Sequence, residues 1–402
     1  MFEVRPCADQ DEYGRAINAI GQYFGAPLSE ELLELFTHTL PHERMHAAFE
    51  ESQIVGGAGA FPFELSVPGG SLACAGVTAV GVHPTHRRRG VLRTMMDAQL
   101  RDVHERGEPI AALWASEETI YNRFGYGLAA WAGELKIQHD WDAFAEPLEL
   151  AAGRTRFVTP EEAAELFPPI YDTVRQERPG MTSRSETWWK DRQLRLPEDE
   201  AGSPKRFVVL EVDGEPLAYA IYRTHFKFEG GLPATRLVVR EALGSTPEAM
   251  AAIWRFLLDV DWTAVAEVPY VPPDHPLFLL LALPRRARYQ MHDSLWMRLV
   301  DLPAALAGRA YSEGGPLVLE VRDAVCAWND GRWRLDGGEC SRTNDEPDLA
   351  LDVSALGAAY LGGVSFAQLR AALRVEALKA GAIERADALF ASRPLPWCLE
   401  IF

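Results

Sequence analysis

One stretch of the sequence, residues 77–100, constrains the fold more than any other part of the chain. Residues 77–82 form a β-branched apolar run, which predicts a strand. A turn-prone loop with one proline, three consecutive arginines and Gly90 follows this run. Apolar residues then recur at helical spacing from Val91 onward, which predicts a helix with one apolar face. The stretch therefore predicts a strand, a basic loop and a helix, in that order.

This order of elements is suited to binding an anion. The first N–H groups of a helix have no partner inside the helix, and the helix dipole makes that end positive. A phosphate group can accept hydrogen bonds from these N–H groups, and arginines add charge-assisted bonds. Gly90 allows a close approach of the backbone. The loop lacks the spacings of the common nucleotide-binding glycine motifs, so the residues alone leave open a solvated basic loop before an ordinary helix.

Composition excludes several classes of function. The net charge of −18 argues against a general nucleic-acid binder and fits either a cationic substrate or simple solubility. The five cysteines are scattered, which predicts a reducing compartment without structural disulfides or a zinc site. The N-terminal residues lack the apolar core of a signal peptide, and the longest apolar run, 277–283, is too short to cross a bilayer. We therefore expect a cytoplasmic protein that needs no metal and binds neither membrane nor nucleic acid.

The length of 402 residues indicates two or three domains. A helix is expected over residues 29–40, with Ser29 as its N-cap. Residues 236–259 repeat the order of strand, glycine loop and helix, but Gly-Ser-Thr-Pro at 244–247 replaces the arginine loop. This repetition predicts a duplicated fold whose second copy has lost the anion site, and the alternative is an unrelated α/β segment. Strands followed by helices near the C-terminus predict an α+β domain. The predicted domains are residues 1–150, 151–292 and 293–402.

The loop motif resembles that of a known superfamily. The pattern Val-x-Val-x-Pro-x-x-Arg-x-x-Gly at residues 80–90 resembles the coenzyme A motif of the Gcn5-related N-acetyltransferase (GNAT) superfamily. The resemblance implies a mixed sheet flanked by helices that binds acetyl-coenzyme A. It implies that the backbone edge of the strand holds the pantetheine arm, and that the loop and the helix start hold the pyrophosphate. The residues concerned are Val80, Gly81 and Val82 in the strand, and Arg87, Arg88, Arg89, Gly90 and Val91 in the loop and helix.

A second segment narrows the family. Residues 120–127, Ile-Tyr-Asn-Arg-Phe-Gly-Tyr-Gly, match the GNAT element in which a tyrosine lies beside the thioester sulfur, and the pattern alone does not choose between Tyr121 and Tyr126. With the arginine loop, the degenerate second copy and a tail that ends in phenylalanine, the chain looks like the enhanced intracellular survival (Eis) acetyltransferases. Its tail resembles a sterol carrier protein fold. The family implies Tyr126 as general acid and the terminal carboxylate of Phe402 as base.

The Eis resemblance also implies a substrate and an assembly. These enzymes acetylate primary amines of aminoglycosides, often at several positions, and they form homohexamers. Because the aminoglycoside pocket is lined by acidic groups, we expect Glu400 to bind substrate, one place before the usual acidic position. Phe24 and Phe36 are expected in the pocket wall, and Ser116 is expected to contact the thioester. The alternatives are another acceptor, such as a polyamine or a protein lysine, or a lipid or protein interaction module in the C-terminal domain.

The expected chemistry is direct transfer of the acetyl group from the thioester to a bound amine. N–H groups of the strand at residues 80–82 can polarise the thioester carbonyl. A tyrosine with a pKa of about 10 can protonate a thiolate with a pKa of about 8.5 only with local help. An α-carboxyl group with a pKa of about 3.5 is a weak base for an ammonium. It therefore acts after burial has raised its pKa, through a water molecule, or mainly by orienting the amine.

Overall fold

The computed structural model describes residues 2–25, 30–195 and 203–402, apart from the side chains of Phe24 and residues 30–32. The chain divides into two units. The first contains Met1–Ala130, Ser294–Pro396 and Glu400–Phe402, and the second contains Trp131–Asp293 and Trp397–Leu399. Within the described residues, no helix is both long and apolar enough to cross a bilayer.

The elements are numbered along the chain. The strands are β1 (Glu3–Pro6), β2 (Met45–Glu50), β3 (Gln53–Val67), β4 (Gly70–Val82), β5 (Ile110–Trp114), β6 (Gly127–Leu128), β7 (Trp131–Gln138), β8 (Arg154–Phe157), β9 (Arg206–Val212), β10 (Glu215–His225), β11 (Phe228–Glu229), β12 (Leu232–Pro233), β13 (Thr235–Gly244), β14 (Thr263–Val271), β15 (Arg288–Asp293), β16 (Leu295–Leu299), β17 (Leu317–Arg322), β18 (Gly331–Asp336), β19 (Glu339–Arg342), β20 (Leu349–Asp352) and β21 (Val375–Ala377). The α-helices are α1 (Gln10–Phe24), α2 (Glu30–Thr39), α3 (Val91–Glu105), α4 (Glu118–Tyr121), α5 (Pro160–Glu177), α6 (Glu186–Trp188), α7 (Pro247–Leu258), α8 (Leu277–Leu280), α9 (Leu302–Ala307), α10 (Val353–Ala359), α11 (Phe366–Ala371) and α12 (Ala382–Phe390).

The first unit is built on a seven-stranded mixed sheet with the order β1-β2-β3-β4-β5-β16-β6. Its helices cover both faces. A Cβ atom placed on Gly56 would meet Met95 of α3, whereas one placed on Gly57 would meet Ile20 of α1. Because successive residues of a strand point to opposite faces, α1 and α3 lie on opposite sides of β3. The predicted helix over 29–40 corresponds to α2, and its predicted cap, Ser29, lies outside the described residues.

Strands β4 and β5 diverge, and this divergence opens the sheet. They pair in parallel only from Cys74 to Gly76 on β4, opposite Ile110 to Ala112 on β5. Beyond Gly76, β4 continues as far as Val82 without pairing to β5. The last part of β4 therefore keeps a backbone edge that no described strand of this sheet covers on that side.

The second unit contains the repeated copy, a seven-stranded sheet with the order β15-β7-β14-β13-β10-β9-β8. The start of α7 corresponds to the arginine loop of the first copy, and its own residues close it. The Thr246 side chain accepts a hydrogen bond from the N–H of Ala249 at 3.1 Å, and Pro247 has no N–H to offer. A Cβ atom on Gly244 would lie 2.4 Å from the nitrogen of Met250. The start of α7 is therefore capped by its own residues, unlike the start of α3.

Two strands lie outside the domains that the sequence predicted for them. β7 was expected within residues 1–150, yet it pairs with β14 and β15 in the second sheet. β16 was expected within residues 293–402, yet it pairs with β5 and β6 in the first sheet. The physical reason is that pairing between strands distant in sequence leaves no trace in the local hydrophobic pattern.

The C-terminal part of the first unit is an α+β domain that packs on the first sheet. Its five strands have the order β19-β18-β17-β20-β21. Helix α10 approaches the first sheet so closely that a Cβ atom on Gly127 would lie 1.8 Å from the carbonyl oxygen of Ser354. A Cβ atom on Gly357 would lie 2.5 Å from the carbonyl oxygen of Met297. Glycine at both positions therefore permits the domain to contact the sheet backbone directly.

Candidate active site

The arginine loop and the start of α3 have the backbone of an anion site. Gly90 precedes the helix with a φ of 89°, and no described side chain caps the first N–H groups. Arg88 also has a positive φ, 61°. A Cβ atom on Gly90 would meet nothing within 4 Å, so the space in front of the helix is open. Unsatisfied helix N–H groups facing open space, with arginines beside them, suit a phosphate-bearing ligand.

A cavity of about 550 Å³ lies at this helix start. It brings together eight of the nine predicted cofactor residues. These are Val80, Gly81, Val82, Arg87, Arg88, Gly90, Val91 and Ser116. Tyr23, Arg123 and Phe124 also line the cavity, and they are not among the predicted site residues. The guanidinium carbon of Arg87 lies 4.9 Å from the centre of the Tyr23 ring, which orients the arginine at the cavity wall.

Arg89 is the predicted cofactor residue that does not line the cavity. Its guanidinium pairs with the Glu50 carboxylate and lies 5.2 Å from the centre of the Phe2 ring. Nε2 of His86 is 2.8 Å from the same carboxylate. Hydrogen bonds from Arg89 and His86 lower the pKa of Glu50. Glu50 therefore anchors the arginine loop from outside the cavity. Because Glu50 lies 36 residues before His86, no local sequence motif reveals this contact.

The strand beside the cavity contains a β-bulge. Thr78 pairs with Gly59 and Gly81 pairs with Gly57, so two residues of β4 lie opposite one residue of β3. Ala79 adopts a φ of 50° at this point. Bulges redirect backbone groups and occur often beside active sites. Here the bulge lies within the uncovered edge of β4, which is predicted to bind the pantetheine arm.

The two tyrosines of the second motif are both buried and contact each other. Their rings meet edge to face with centroids 6.0 Å apart. Tyr121 lines the cavity and is 6% exposed, whereas Tyr126 is fully buried behind it. Burial raises the pKa of Tyr121 to about 12 and raises the pKa of Tyr126 further. The Tyr126 hydroxyl has no hydrogen-bond partner within the described part of the chain, although Tyr126 itself does not line the cavity.

The end of the chain reaches the point where β4 and β5 diverge. The Phe402 ring contacts Phe63 edge to face at 5.1 Å between centroids, and a Cβ atom on Gly76 would lie 3.4 Å from it. Ala75 and Val77, on either side of Gly76, belong to the apolar cluster that contains Tyr126. Since neighbouring residues of a strand point to opposite faces, Phe402 and Tyr126 flank this part of β4 from its two sides.

The predicted substrate residues have three different outcomes. The Phe36 ring stacks on Phe61 at 6.2 Å, and Phe61 contacts Phe63 at 5.6 Å, so Phe36 begins a row of rings that ends at Phe402. Glu400 is buried, at only 4% exposed, and its role in binding substrate stays a prediction. The side chain of Phe24 lies outside the described residues.

No group of three or more His, Cys, Asp or Glu side chains suited to a metal occurs in the part of the chain that is described.

Comparisons with known proteins agree with this geometry. Residues 3–129 match the family described as acetyltransferase (GNAT) domain, and residues 180–299 match a second GNAT family. Residues 302–399 match the sterol carrier protein domain family. The fold and the site therefore define an N-acetyltransferase of the GNAT class, made of two GNAT domains and a sterol-carrier-like α+β domain. Enzymes of this class use acetyl-coenzyme A and an amine acceptor.

The relatives identify the family within that class. An uncharacterized N-acetyltransferase of Streptomyces avermitilis is 41% identical over 397 residues, covering 96% of this chain and 95% of the relative. The N-acetyltransferase Eis of Mycobacterium tuberculosis is 35% identical over 353 residues, covering 85% and 84%. The crystal structure of Eis1 from Mycobacterium abscessus superimposes with a TM-score of 0.88 at 32% identity and covers all of both chains. The chain belongs to the Eis family of N-acetyltransferases.

Proposed function

We propose that this enzyme transfers the acetyl group of acetyl-coenzyme A to primary amines of cationic aminoglycosides, at more than one position. The coenzyme assignment rests on one observation: the bulged strand, the arginine loop and the start of α3 all line the same cavity. The arginines and helix N–H groups suit a diphosphate, and the uncovered strand edge suits the amides of a pantetheine arm. The acceptor assignment rests on the Eis resemblance and on the net charge of −18, which favours a cationic substrate.

The chain's own groups supply the three requirements of the reaction. N–H groups near Val80 and Val82 polarise the thioester carbonyl and stabilise the oxyanion that forms from it. Ser116, which also lines the cavity, adds a contact to the thioester. The carbon–nitrogen bond forms as the carbon–sulfur bond breaks, and Tyr126 donates its proton to the leaving thiolate. The Phe402 carboxylate receives the proton that the amine loses.

Direct proton transfer to the Phe402 carboxylate is unfavourable because an α-carboxyl group has a pKa of about 3.5. A water molecule between the amine and the carboxylate carries the proton across the distance between them, and the carboxylate mainly orients the amine. The row of rings from Phe36 to Phe402 provides a wall along which the acceptor can lie. We therefore assign the carboxylate two roles, which are to orient the amine and to accept its proton through water.

Extension of the C-terminus tests the carboxylate. Adding a short Gly-Ser segment after Phe402 moves the free carboxylate away while the side chains of the chain stay the same. We expect kcat to fall by about a hundredfold, within the range for a general base, with little change in KM for acetyl-coenzyme A. Phe402→Ala is the matched control, because it keeps the terminal carboxylate and removes only the ring. Full turnover by the extended protein would remove Phe402 from the mechanism.

Release of thiol from acetyl-coenzyme A tests the function as a whole. The assay compares aminoglycosides with a polyamine and with a lysine-containing peptide at equal concentrations. We expect the highest kcat/KM with aminoglycosides and more than one acetyl group on the product by mass spectrometry. Preference for the polyamine or the peptide would assign another acceptor. No turnover with any amine would favour the alternative of a lipid or protein interaction module.

We propose that the enzyme works as a homohexamer, as the Eis resemblance implies. Sedimentation equilibrium of the purified protein tests this proposal. A mass six times that of the chain is expected, and a monomer that retains full activity would contradict it.

A further inference from the structure

A buried ion pair lies behind the candidate general acid, and the mechanism above does not use it. Arg298 on β16 is completely buried, and its partner Asp323 follows β17 in the sterol-carrier-like domain. Nη2 of Arg298 donates to both carboxylate oxygens of Asp323, at 2.8 and 2.7 Å. Arginine keeps its charge in proteins, so the guanidinium is a fixed cation in the interior of the first unit, and the Asp323 carboxylate balances its charge.

Asp323 is held firmly, and it holds Arg298 in turn. The backbone N–H groups of Val325 and Cys326 donate to its Oδ1 at 3.1 and 2.9 Å. The amide of Asn329 donates to its Oδ2 at 3.1 Å. A carboxylate with this many donors cannot rotate without losing several hydrogen bonds. Its two bonds with Nη2 hold the guanidinium in the observed orientation.

That orientation places the guanidinium against the residue before Tyr126. A Cβ atom on Gly125 would lie 2.7 Å from Cζ and Nη1 of Arg298 and 2.8 Å from its Nε. Gly125, with a φ of 85°, ends the turn that leads into Tyr126. Asn122 closes the same turn by donating its side-chain amide to the Tyr126 carbonyl oxygen at 3.2 Å. Arg298 thus supports the backbone from which the Tyr126 ring projects.

The surroundings of the Tyr126 hydroxyl oppose its use as an acid. Burial raises its pKa, and the neighbouring Tyr121, Cys74 and Cys326 act in the same direction. Among the groups that act on the Tyr126 pKa, Arg298 is the one that lowers it. A phenolate that forms in this apolar cluster needs a nearby positive charge, because no water reaches it.

We propose that Arg298, held by Asp323, is a positioning residue for Tyr126: its fixed charge stabilises the phenolate that forms when Tyr126 gives its proton to the leaving thiolate. This inference rests on the proposed role of Tyr126. It assigns the sterol-carrier-like domain a second contribution to catalysis, distinct from the terminal carboxylate, because Asp323 comes from that domain. The alternative is a buried ion pair that only stabilises the fold.

The test replaces both charges together with Arg298→Met and Asp323→Asn, because removing one partner alone would leave the other charge buried and unpaired. We expect kcat to fall by on the order of tenfold, part of what a general acid contributes, while KM for acetyl-coenzyme A stays unchanged. In a Tyr126→Phe background, the same two substitutions should change kcat less than about twofold, because a charge that acts through Tyr126 has nothing left to act on. This non-additivity is the readout that a purely structural pair does not produce.

A matched control pair lies in the second unit. Nη1 of Arg184 donates to Glu241 at 2.9 Å, and the two side chains are only 1% and 4% exposed, against 0% and 1% in the first pair. Arg184→Met with Glu241→Gln should leave kcat unchanged. An equal loss of kcat in the wild-type and Tyr126→Phe backgrounds, or no loss in either, would overturn the proposal for Arg298. If Tyr126→Phe alone keeps full activity, the assignment of Tyr126 itself fails, and the two failures are thereby distinguished.

A second comparison decides the matter if the double variant does not fold. Arg298→Lys keeps the charge, and Arg298→Gln combined with Asp323→Asn removes both charges while keeping a hydrogen-bond donor at position 298. We expect the lysine variant to retain at least about ten times the kcat of the glutamine variant, with equal KM for acetyl-coenzyme A. Equal activity of the two variants would contradict a role for the charge.

Discussion

Removal of the loop arginines one at a time separates the residues that bind the coenzyme from the residue that anchors the loop. Arg87 and Arg88 line the cavity, whereas Arg89 pairs with Glu50 outside it. A hydrogen bond to a charged group contributes about 1.5–3 kcal/mol, and 1.4 kcal/mol corresponds to a factor of ten in affinity. Because Arg87 and Arg88 are exposed to solvent, we use the lower end of this range. We expect Arg87→Ala and Arg88→Ala each to weaken acetyl-coenzyme A binding about tenfold.

Arg89→Ala is the internal control of this series. It removes an exposed ion pair, which contributes little in most proteins, so we expect less than about a threefold change in binding. Isothermal titration calorimetry with acetyl-coenzyme A measures all three variants directly. Raising the salt concentration should weaken wild-type binding more than that of Arg87→Ala, since screening acts on the lost contact. Weaker binding by Arg89→Ala than by both other variants would refute the assignment of the cavity to the diphosphate.

Two further predictions concern ionisable groups. Tyr126→Phe should lower kcat by about a hundredfold or more in the thiol-release assay, and Tyr121→Phe should lower it far less. The reverse order would assign the role of general acid to Tyr121, which lines the cavity. Burial and the nearby Arg178 lower the pKa of His275 to about 3, so the folded protein keeps this ring neutral while the unfolded chain takes up a proton near pH 6.5. Stability should therefore fall as the pH drops from about 6.5 towards about 3, by up to about 1.4 kcal/mol per pH unit from this residue. Urea unfolding at several pH values measures the slope, and His275→Gln should reduce it; an unchanged slope would contradict the burial of the ring as its cause.

The parts of the site that the sequence revealed are those carried by contiguous residues. The strand, the arginine loop and the start of α3 follow one another in the chain, and their backbone geometry depends on local residues such as Gly90. The turn that ends at Gly125 was similarly visible, because a glycine with a φ of 85° closes it. Local patterns of this kind predict local structure well.

The remaining features depend on contacts between distant segments. β7 belongs to the second sheet and β16 to the first because each pairs with a strand more than a hundred residues away in the sequence. The periodicity of apolar residues does not encode such pairing. The anchoring of Arg89 by Glu50 and the pairing of Arg298 with Asp323 join side chains whose neighbours in sequence carry no motif. In the sequence, Arg298 is an isolated cation inside an apolar strand, and only its complete burial indicates that it needs a partner.

The sterol-carrier-like domain is a structural part of the catalytic unit rather than an appendage to it. Its helix α10 packs on the sheet so closely that only glycine fits at position 127, one residue after Tyr126. The same domain provides Asp323, which holds the cation behind Tyr126, and the chain then returns to the first sheet, where the Phe402 ring lies against Phe63. The proposed acid and the proposed base thus depend on one domain for their positions. Removing residues after 300 would therefore abolish catalysis even if the first sheet still bound acetyl-coenzyme A, because Phe402 would be lost with them and Tyr126 would lose the support of Asp323.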